Sequence, residues 1–293
     1  MKKTILIIGC GDVARRAVPW LARRFRVLAV IRDPADGPAL RALGAKPLVA
    51  DLDRPASLAR LAGLADWVIH AAPPPSQGDL DPRTRRLLAA LERRSTLPQA
   101  LAYISTTGVY GDCGGAWVSE SRPVRPNSGR ARRRVDAEGA LRAFGRRTGC
   151  RVSILRAPGI YAADRLSLER LRRGDPVLNR DEDVFTNHIH AEDLARIACL
   201  ALFRGRPGRC YNASDDTELP MGEYFDLMAD CFGLPRPPRM SRTEIRAHLS
   251  PATLSFMAES RRLSNHRLKA ELRLRLGFPT VGEGLAAARQ TLA

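Results

Sequence analysis

The chain has 293 residues, with 48 lysines and arginines against 31 aspartates and glutamates and a formal net charge of +17. That length accommodates one large α/β unit or a core with a smaller lobe, and no apolar run in it is long enough to span a bilayer. The basic balance alone suggests an anionic partner, but lysine occurs only at Lys2, Lys3, Lys46 and Lys269, and the arginines are spread along the chain among acids. An arginine-rich composition accounts for that spread as well as a nucleic-acid footprint does, and nucleic acid is not the expected partner.

In chain order, short apolar runs alternate with helical patterns. ILIIG precedes the apolar-periodic VARRAVPWLARRF, VLAVI precedes PALRALG, KPLVA precedes PASLARLAGL, WVIHAA precedes PRTRRLLAALERR, and ALAYIST follows. Runs of Val, Ile and Leu of this length between helices are the pattern of strands buried on both faces. They predict a parallel sheet with right-handed crossovers. A sixth strand is expected over VSILRAPGIY (152–161) and another over CYNAS (210–214), with helix, loop and helix between them. The expected fold class is α/β, a Rossmann-type doubly wound parallel sheet with a smaller, mainly helical C-terminal lobe. Residues 1–162 with 187–215 would form the larger unit, and 163–186 with 216–293 the lobe.

The sequence ILIIGCGDVARRA sets Gly9, Gly11 and Ala14 in a GxGxxA directly after a buried strand and directly before a helix. Gly9 permits the tight turn, Gly11 lets a pyrophosphate approach the backbone, and Ala14 allows close helix–strand packing, with the phosphates on the helix N-terminus. The context predicts dinucleotide binding. VLAVI ends in Arg32, where an acidic residue would suit the ribose hydroxyls of NAD. An arginine suits a 2′-phosphate, so NADP is favoured, with NAD open because Asp33 follows and could swing in. Asp51 and Leu52, in VADLDRPASL, lie where an adenine edge would rest, although Asp51 would also cap the following turn.

These residues resemble the extended short-chain dehydrogenase/reductase superfamily, the group of the NAD-dependent epimerases and dehydratases. The likeness runs through GCGDVA, ADLDRPASL, VIHAAPP, YISTTGVYG, LRAPGIY, HIHAEDLA and YNASDD. It implies a cofactor site that includes Cys10, Asp12 and Val13 of the first loop, Ala71, Ala72 and Pro73 after the fourth strand, and Thr106. It also implies a small-molecule substrate, nucleotide-linked or anionic, under the C-terminal lobe.

The usual chemistry of that superfamily needs a Ser or Thr after the fifth strand and a Tyr-x-x-x-Lys on the next helix, whose phenolate exchanges a proton while hydride moves to or from nicotinamide. Thr106, with Thr107 beside it, supplies the hydroxyl. With Glu138 set on the glutamate that follows the motif, Arg134 takes the lysine position and Arg130 the tyrosine position. An arginine, with a pKa above about 12, cannot replace a phenol as proton donor. The departure resembles the atypical branch of the superfamily, and STTGVYGDCGGAWVSES resembles the bacterial YeeZ-like proteins most.

Other phenols are then of interest. Tyr110 and Tyr161, near strand ends, are either replacement acids or packing residues. Arg130, Arg134 and Tyr161 are candidate substrate contacts, and Arg134 and Glu138, four apart, are expected to pair. His190 and Asp193 fix a helix start rather than hold a metal, and Trp117 is either a lid residue or part of a surface loop. The six cysteines form no CxxC pair, so reduced thiols in a cytoplasmic protein, monomer or homodimer, are expected. Two functional readings stand: an NADP-dependent oxidoreductase or epimerase-like enzyme with a non-standard acid, and a non-catalytic NADP-binding sensor.

Overall fold

The computed structural model describes residues 2–94 and 96–292. Seven strands, β1 (Thr4–Ile8), β2 (Arg26–Ile31), β3 (Ala45–Val49), β4 (Trp67–His70), β5 (Ala100–Thr106), β6 (Arg151–Ala157) and β7 (Arg209–Asn212), form one sheet. Its order is β7-β6-β5-β4-β1-β2-β3, with all neighbours parallel. The helices are α1 (Asp12–Ala22), α2 (Gly37–Ala42), α3 (Pro55–Leu58), α4 (Pro82–Leu91), α5 (Gly129–Thr148), α6 (Leu168–Arg172), α7 (Ala191–Arg204), α8 (Met221–Phe232), α9 (Pro251–Phe256), α10 (His266–Leu272) and α11 (Val281–Leu292).

The apolar alternation along each strand feeds two cores. Ile5 and Ile7 of β1 face one side, packed with Val18 and Leu21 of α1 and Leu194, Ile197 and Leu202 of α7. Leu6 and Ile8 face the other, with Leu87 and Leu91 of α4 and Leu141 and Phe144 of α5. Helices on both faces of a parallel sheet make the doubly wound architecture expected from the sequence. Between β1 and β4 the strand order reverses, and in such sheets this is where ligands bind.

VSILRAPGIY does not form one strand. Pro158, which has no N–H to give to a ladder, ends β6, and Gly159–Tyr161 instead pairs in parallel with His188–His190. That detour carries Tyr161 into a third core, with Leu171 of α6, Tyr224, Phe225 and Met228 of α8, and Leu285 of α11. No helix among the described residues is long and apolar enough to cross a membrane.

Candidate functional site

The carboxyl-end rim of the sheet holds two cavities side by side. The first, about 750 Å³, takes the ends of β1, β2 and β4, and Gly9, Cys10, Gly11, Arg32, Asp51, Leu52, Ala71, Ala72 and Pro73 all line it. Gly9 has φ +79°, and a Cβ there would lie 2.4 Å from the Ala72 backbone, so the glycine is what lets the β1 and β4 ends touch at the switch point. A Cβ on Gly11 would meet no protein atom within 4 Å; the open space lies over the start of α1, whose unpaired N–H groups favour an anion.

Four residues of the expected cofactor set lie elsewhere; Thr106 lines the second cavity. Ala14 is buried at 3 % exposure in the α1 core, with Val13 packed against that core. Asp12 turns to Arg16 (2.9 Å) and to Arg165 (3.0 Å), and Arg16 also reaches Asp164 (2.7 Å) and Glu192 (2.9 Å). This network ties the first turn of α1 to the segment after Tyr161.

Sequence reasoning missed Arg15 and Arg83, which also line the first cavity. Arg15 donates to the Cys10 carbonyl (3.1 Å) and pairs with Asp36 (2.5 Å). Arg83 pairs with Asp53 (2.6 Å) and donates to the Pro73 and Pro74 carbonyls. The signal for Arg15 was its place one residue after Ala14; Arg83 carried none. Asp33 does not swing in: its carboxylate accepts from the Ala35 amide (2.9 Å) and caps the turn Pro34–Asp36. Arg32 has no hydrogen bond or ion pair among the described residues. Asp51 caps its own turn, accepting from the Asp53 amide (2.9 Å), and lines the cavity as well.

The second cavity, about 540 Å³, takes the ends of β5 and β6 and is roofed by α8, α9 and the 259–261 segment. Thr106, Arg130, Arg134 and Tyr161 line it together. Thr106 Oγ1 accepts from the Gly108 amide (3.2 Å), which fixes the hydroxyl at the strand end. Arg134 donates to Tyr103 Oη (2.9 Å) and to the Ile104 carbonyl (2.8 Å). Tyr161 lies edge-on to His190 and its hydroxyl goes to the Thr280 carbonyl (3.3 Å); burial raises this phenol well above its usual range.

Two sequence expectations need correction. Arg134 does not pair with Glu138. That carboxylate is buried and is taken by Arg156 of β6 (2.7 Å), Arg142 (3.1 Å) and the Ser105 hydroxyl (2.7 Å). Tyr110 is not a cleft acid: it is 1 % exposed, lines neither cavity, and donates to Asn212 Oδ1 (2.7 Å). Burial pushes its phenol up, away from proton exchange near neutrality. Trp117, half exposed and under Arg262, lines neither cavity. His190 Nδ1 accepts from the Glu192 amide at the start of α7, and Asp193 accepts from the Gly277 and Phe278 amides.

His70, at the end of β4, was not anticipated. Thr84 donates its hydroxyl to Asp81 (2.7 Å), so the His70 Nε2 beside it (2.9 Å) carries the proton and Nδ1 is a bare acceptor without a partner among the described residues. Burial, aided by the charge of Arg134, pushes this imidazole down to about 3, so it is neutral.

Comparison with known proteins agrees with this arrangement. Residues 5–214 match the NAD dependent epimerase/dehydratase family. A functionally unknown conserved protein from Silicibacter pomeroyi is 30% identical, superposes with a TM-score of 0.83, and is matched over 99% of both chains. UDP-glucose 4-epimerase from Thermotoga maritima, solved with UDP-glucose, shares the fold at 17% identity and a TM-score of 0.80, over 99% of this chain and 98% of that one. The dTDP-glucose 4,6-dehydratase of Streptomyces venezuelae, a double mutant solved with NAD, does so at 20% and 0.78, over 98% and 96%. No curated protein matches the sequence. A glycine turn that seats β1 against β4, a match over most of the sheet and a shared fold lead to one conclusion: the chain belongs to the NAD dependent epimerase/dehydratase family.

Proposed function

We propose that the protein is an NADP-dependent oxidoreductase or epimerase-like enzyme with a non-standard active site. The observation that carries this reading is the pair of adjoining cavities: a glycine-built anion cradle opens into the first, and Thr106, Arg130, Arg134 and Tyr161 converge on the second. In the first, Gly11 at the start of α1 would hold the pyrophosphate, Arg32 the 2′-phosphate, and Asp51 and Leu52 the adenine. Arg32 without a hydrogen bond or ion pair among the described residues and Asp33 committed to its turn support NADP over NAD.

The bound dinucleotide supplies hydride chemistry. This chain supplies position: Thr106 offers a hydroxyl at the β5 end, Arg134 a guanidinium fixed by Tyr103 and Ile104, and Arg130 and Tyr161 a wall for an anionic or nucleotide-linked substrate. All six cysteines are free, which supports a reducing, cytoplasmic setting.

Because Arg130 and Arg134 stand where a phenol and an ammonium would act, a second reading is an NADP-binding sensor without turnover. The test is titration of the protein with NADP and NAD, followed by nicotinamide absorbance with a panel of carbonyl, hydroxy-acid and nucleotide-sugar substrates. NADP-preferring binding with turnover establishes the enzyme; binding that raises the melting temperature without any turnover leaves the sensor; no dinucleotide binding removes both.

A further inference from the structure

The arginine run RARRR opens α5, a helix with no acidic residue in its first turn and Ser128 as its N-cap. Cations are disfavoured at that end of a helix dipole, and like charges four apart repel. Three of its four arginines are compensated by the protein. Arg132 pairs with Asp79 (2.8 Å), Arg133 donates to the Gly78 carbonyl, and Arg134 donates to Tyr103 Oη and the Ile104 carbonyl. Arg130 has no hydrogen bond or ion pair among the described residues. Its guanidinium lies over the Phe256 ring at 4.5 Å, one face stacked and the N–H edge left free, and it lines the second cavity.

The charges around it are one-sided. Arg130, Arg134, Arg165, Arg170 and Arg261 line this cavity, and Glu259 is the one carboxylate among its lining residues. Glu259 is held by Arg261 (2.8 Å) and Arg165 by Asp12 (3.0 Å). Arg130, Arg134 and Arg170 therefore have no ion pair to a carboxylate among the described residues. Loss of solvent, with Arg134, Arg133 and Arg261 nearby, holds the Arg130 guanidinium below its usual basicity even with Glu259 opposing. A planar five-donor fork with a stacked face and unfilled edge is suited to a bidentate oxyanion.

We propose that Arg130, with Arg134 beside it, is the receptor for an oxyanion of the substrate, so that the substrates are organic acids, carboxylates or phosphate esters, with the acid group at the β5 end of the second cavity. This rests on the reading of that cavity as the substrate site. Arg130 binds the oxyanion edge-on, Phe256 keeps the fork in plane, and Arg134 adds a second positive centre already fixed to the sheet.

The test is calorimetric titration of the full chain, saturated with NADP, with malonate, methyl phosphate and neutral propane-1,3-diol at matched ionic strength. Malonate, methyl phosphate or both are expected to bind saturably, identifying a carboxylate or a phosphate as the group held, and the diol is expected not to bind. Arg130→Gln is expected to weaken that binding at least about tenfold, and Arg130→Lys, which keeps charge but not the fork, to restore part of it. Wild-type protein that binds NADP but prefers neither anion over chloride overturns this inference alone. So does an Arg130→Gln protein that binds both anions as the wild type does, or that loses NADP affinity instead. Wild-type protein that fails to bind NADP takes the functional reading with it.

Discussion

Arg156 of β6 meets Glu138 of α5 through two hydrogen bonds, Nη2 to Oε2 at 2.7 Å and Nε to Oε1 at 3.0 Å, with their side chains only 4 % and 1 % exposed. The pair ties helix to sheet directly beneath the second cavity, because Ser105 at the end of β5 donates to the same carboxylate. Removing one partner leaves the other charge buried and alone. Glu138→Ala is expected to cost about 3–5 kcal/mol in denaturant unfolding. Burial by itself would raise the Glu138 carboxyl, but Arg156, Arg142 and Ser105 together hold it below its ordinary range. With the folded-state value depressed, its stabilisation is present above the unfolded value near pH ~4.3 and is lost as the pH falls through the folded one. In Glu138→Gln that acid-side loss should shrink.

The same residue shows where sequence reading stopped. Spacing placed Arg130 and Arg134 on one face of α5, and both do face the cavity. Spacing also offered Glu138 to Arg134, but an i,i+4 pair is worth only about 0.2–0.5 kcal/mol, and a strand residue distant in sequence, Arg156, took the carboxylate. The glycine loop and the buried strands were legible because their rules are local. Arg83, Arg165 and Arg170 were not, because nothing local distinguishes an arginine that a later fold will turn into a cavity. Tyr110 stays open in the sequence for a related reason: a phenol near a strand end can face either way, and its partner Asn212 sits on β7, distant in sequence.

Tyr110→Phe separates these roles. The substitution removes the bond to Asn212 Oδ1 and leaves a buried acceptor unfilled, a cost of about 1–3 kcal/mol. Unfolding should report that loss, while NADP affinity and anion binding in the second cavity stay as in the wild type. A drop in either affinity with normal stability would return Tyr110 to the site.

Gly9 and Gly11 should respond in opposite ways. At Gly9 a side chain meets both a positive φ and the Ala72 backbone at 2.4 Å, so Gly9→Ala is expected to lower the melting temperature of the protein without ligand. Gly11 has φ −79° and open space where its Cβ would go. Gly11→Ala should leave unfolding within about 0.5 kcal/mol of wild type while weakening NADP, because the methyl occupies the place of the phosphate. Equal dinucleotide affinity in Gly11→Ala would mean that the pyrophosphate lies elsewhere.

The proposed preference for NADP is tested at Arg32. Removing a charge-assisted contact worth about 1.5–3 kcal/mol predicts that Arg32→Ala weakens NADP by about ten- to a hundredfold and leaves NAD nearly unchanged. Asp33→Asn, by contrast, should alter the turn at Pro34–Asp36 more than the preference, since that carboxylate already caps the turn. Parallel titrations of both variants with both dinucleotides distinguish the two positions.

Asp215 acts on stability with the opposite sign to Glu138. It is 3 % exposed just after β7; Oδ1 accepts from the Thr217 amide (3.0 Å) and Oδ2 has no hydrogen-bond partner among the described residues. Burial, reinforced by Asp216 and Asp193, outweighs the Thr217 bonds and pushes the carboxyl up to about 7. Between its unfolded value near ~3.9 and that folded value, the native protein holds a proton that the unfolded chain has released. Stability therefore falls as the pH rises through that interval and levels off above pH 7. Asp215→Asn keeps the uncharged form at every pH. Its melting temperature should exceed that of the wild type at pH 8, by a margin that shrinks toward pH 4. A gain of the same size at both pH values would show that packing, not the buried charge, sets the effect.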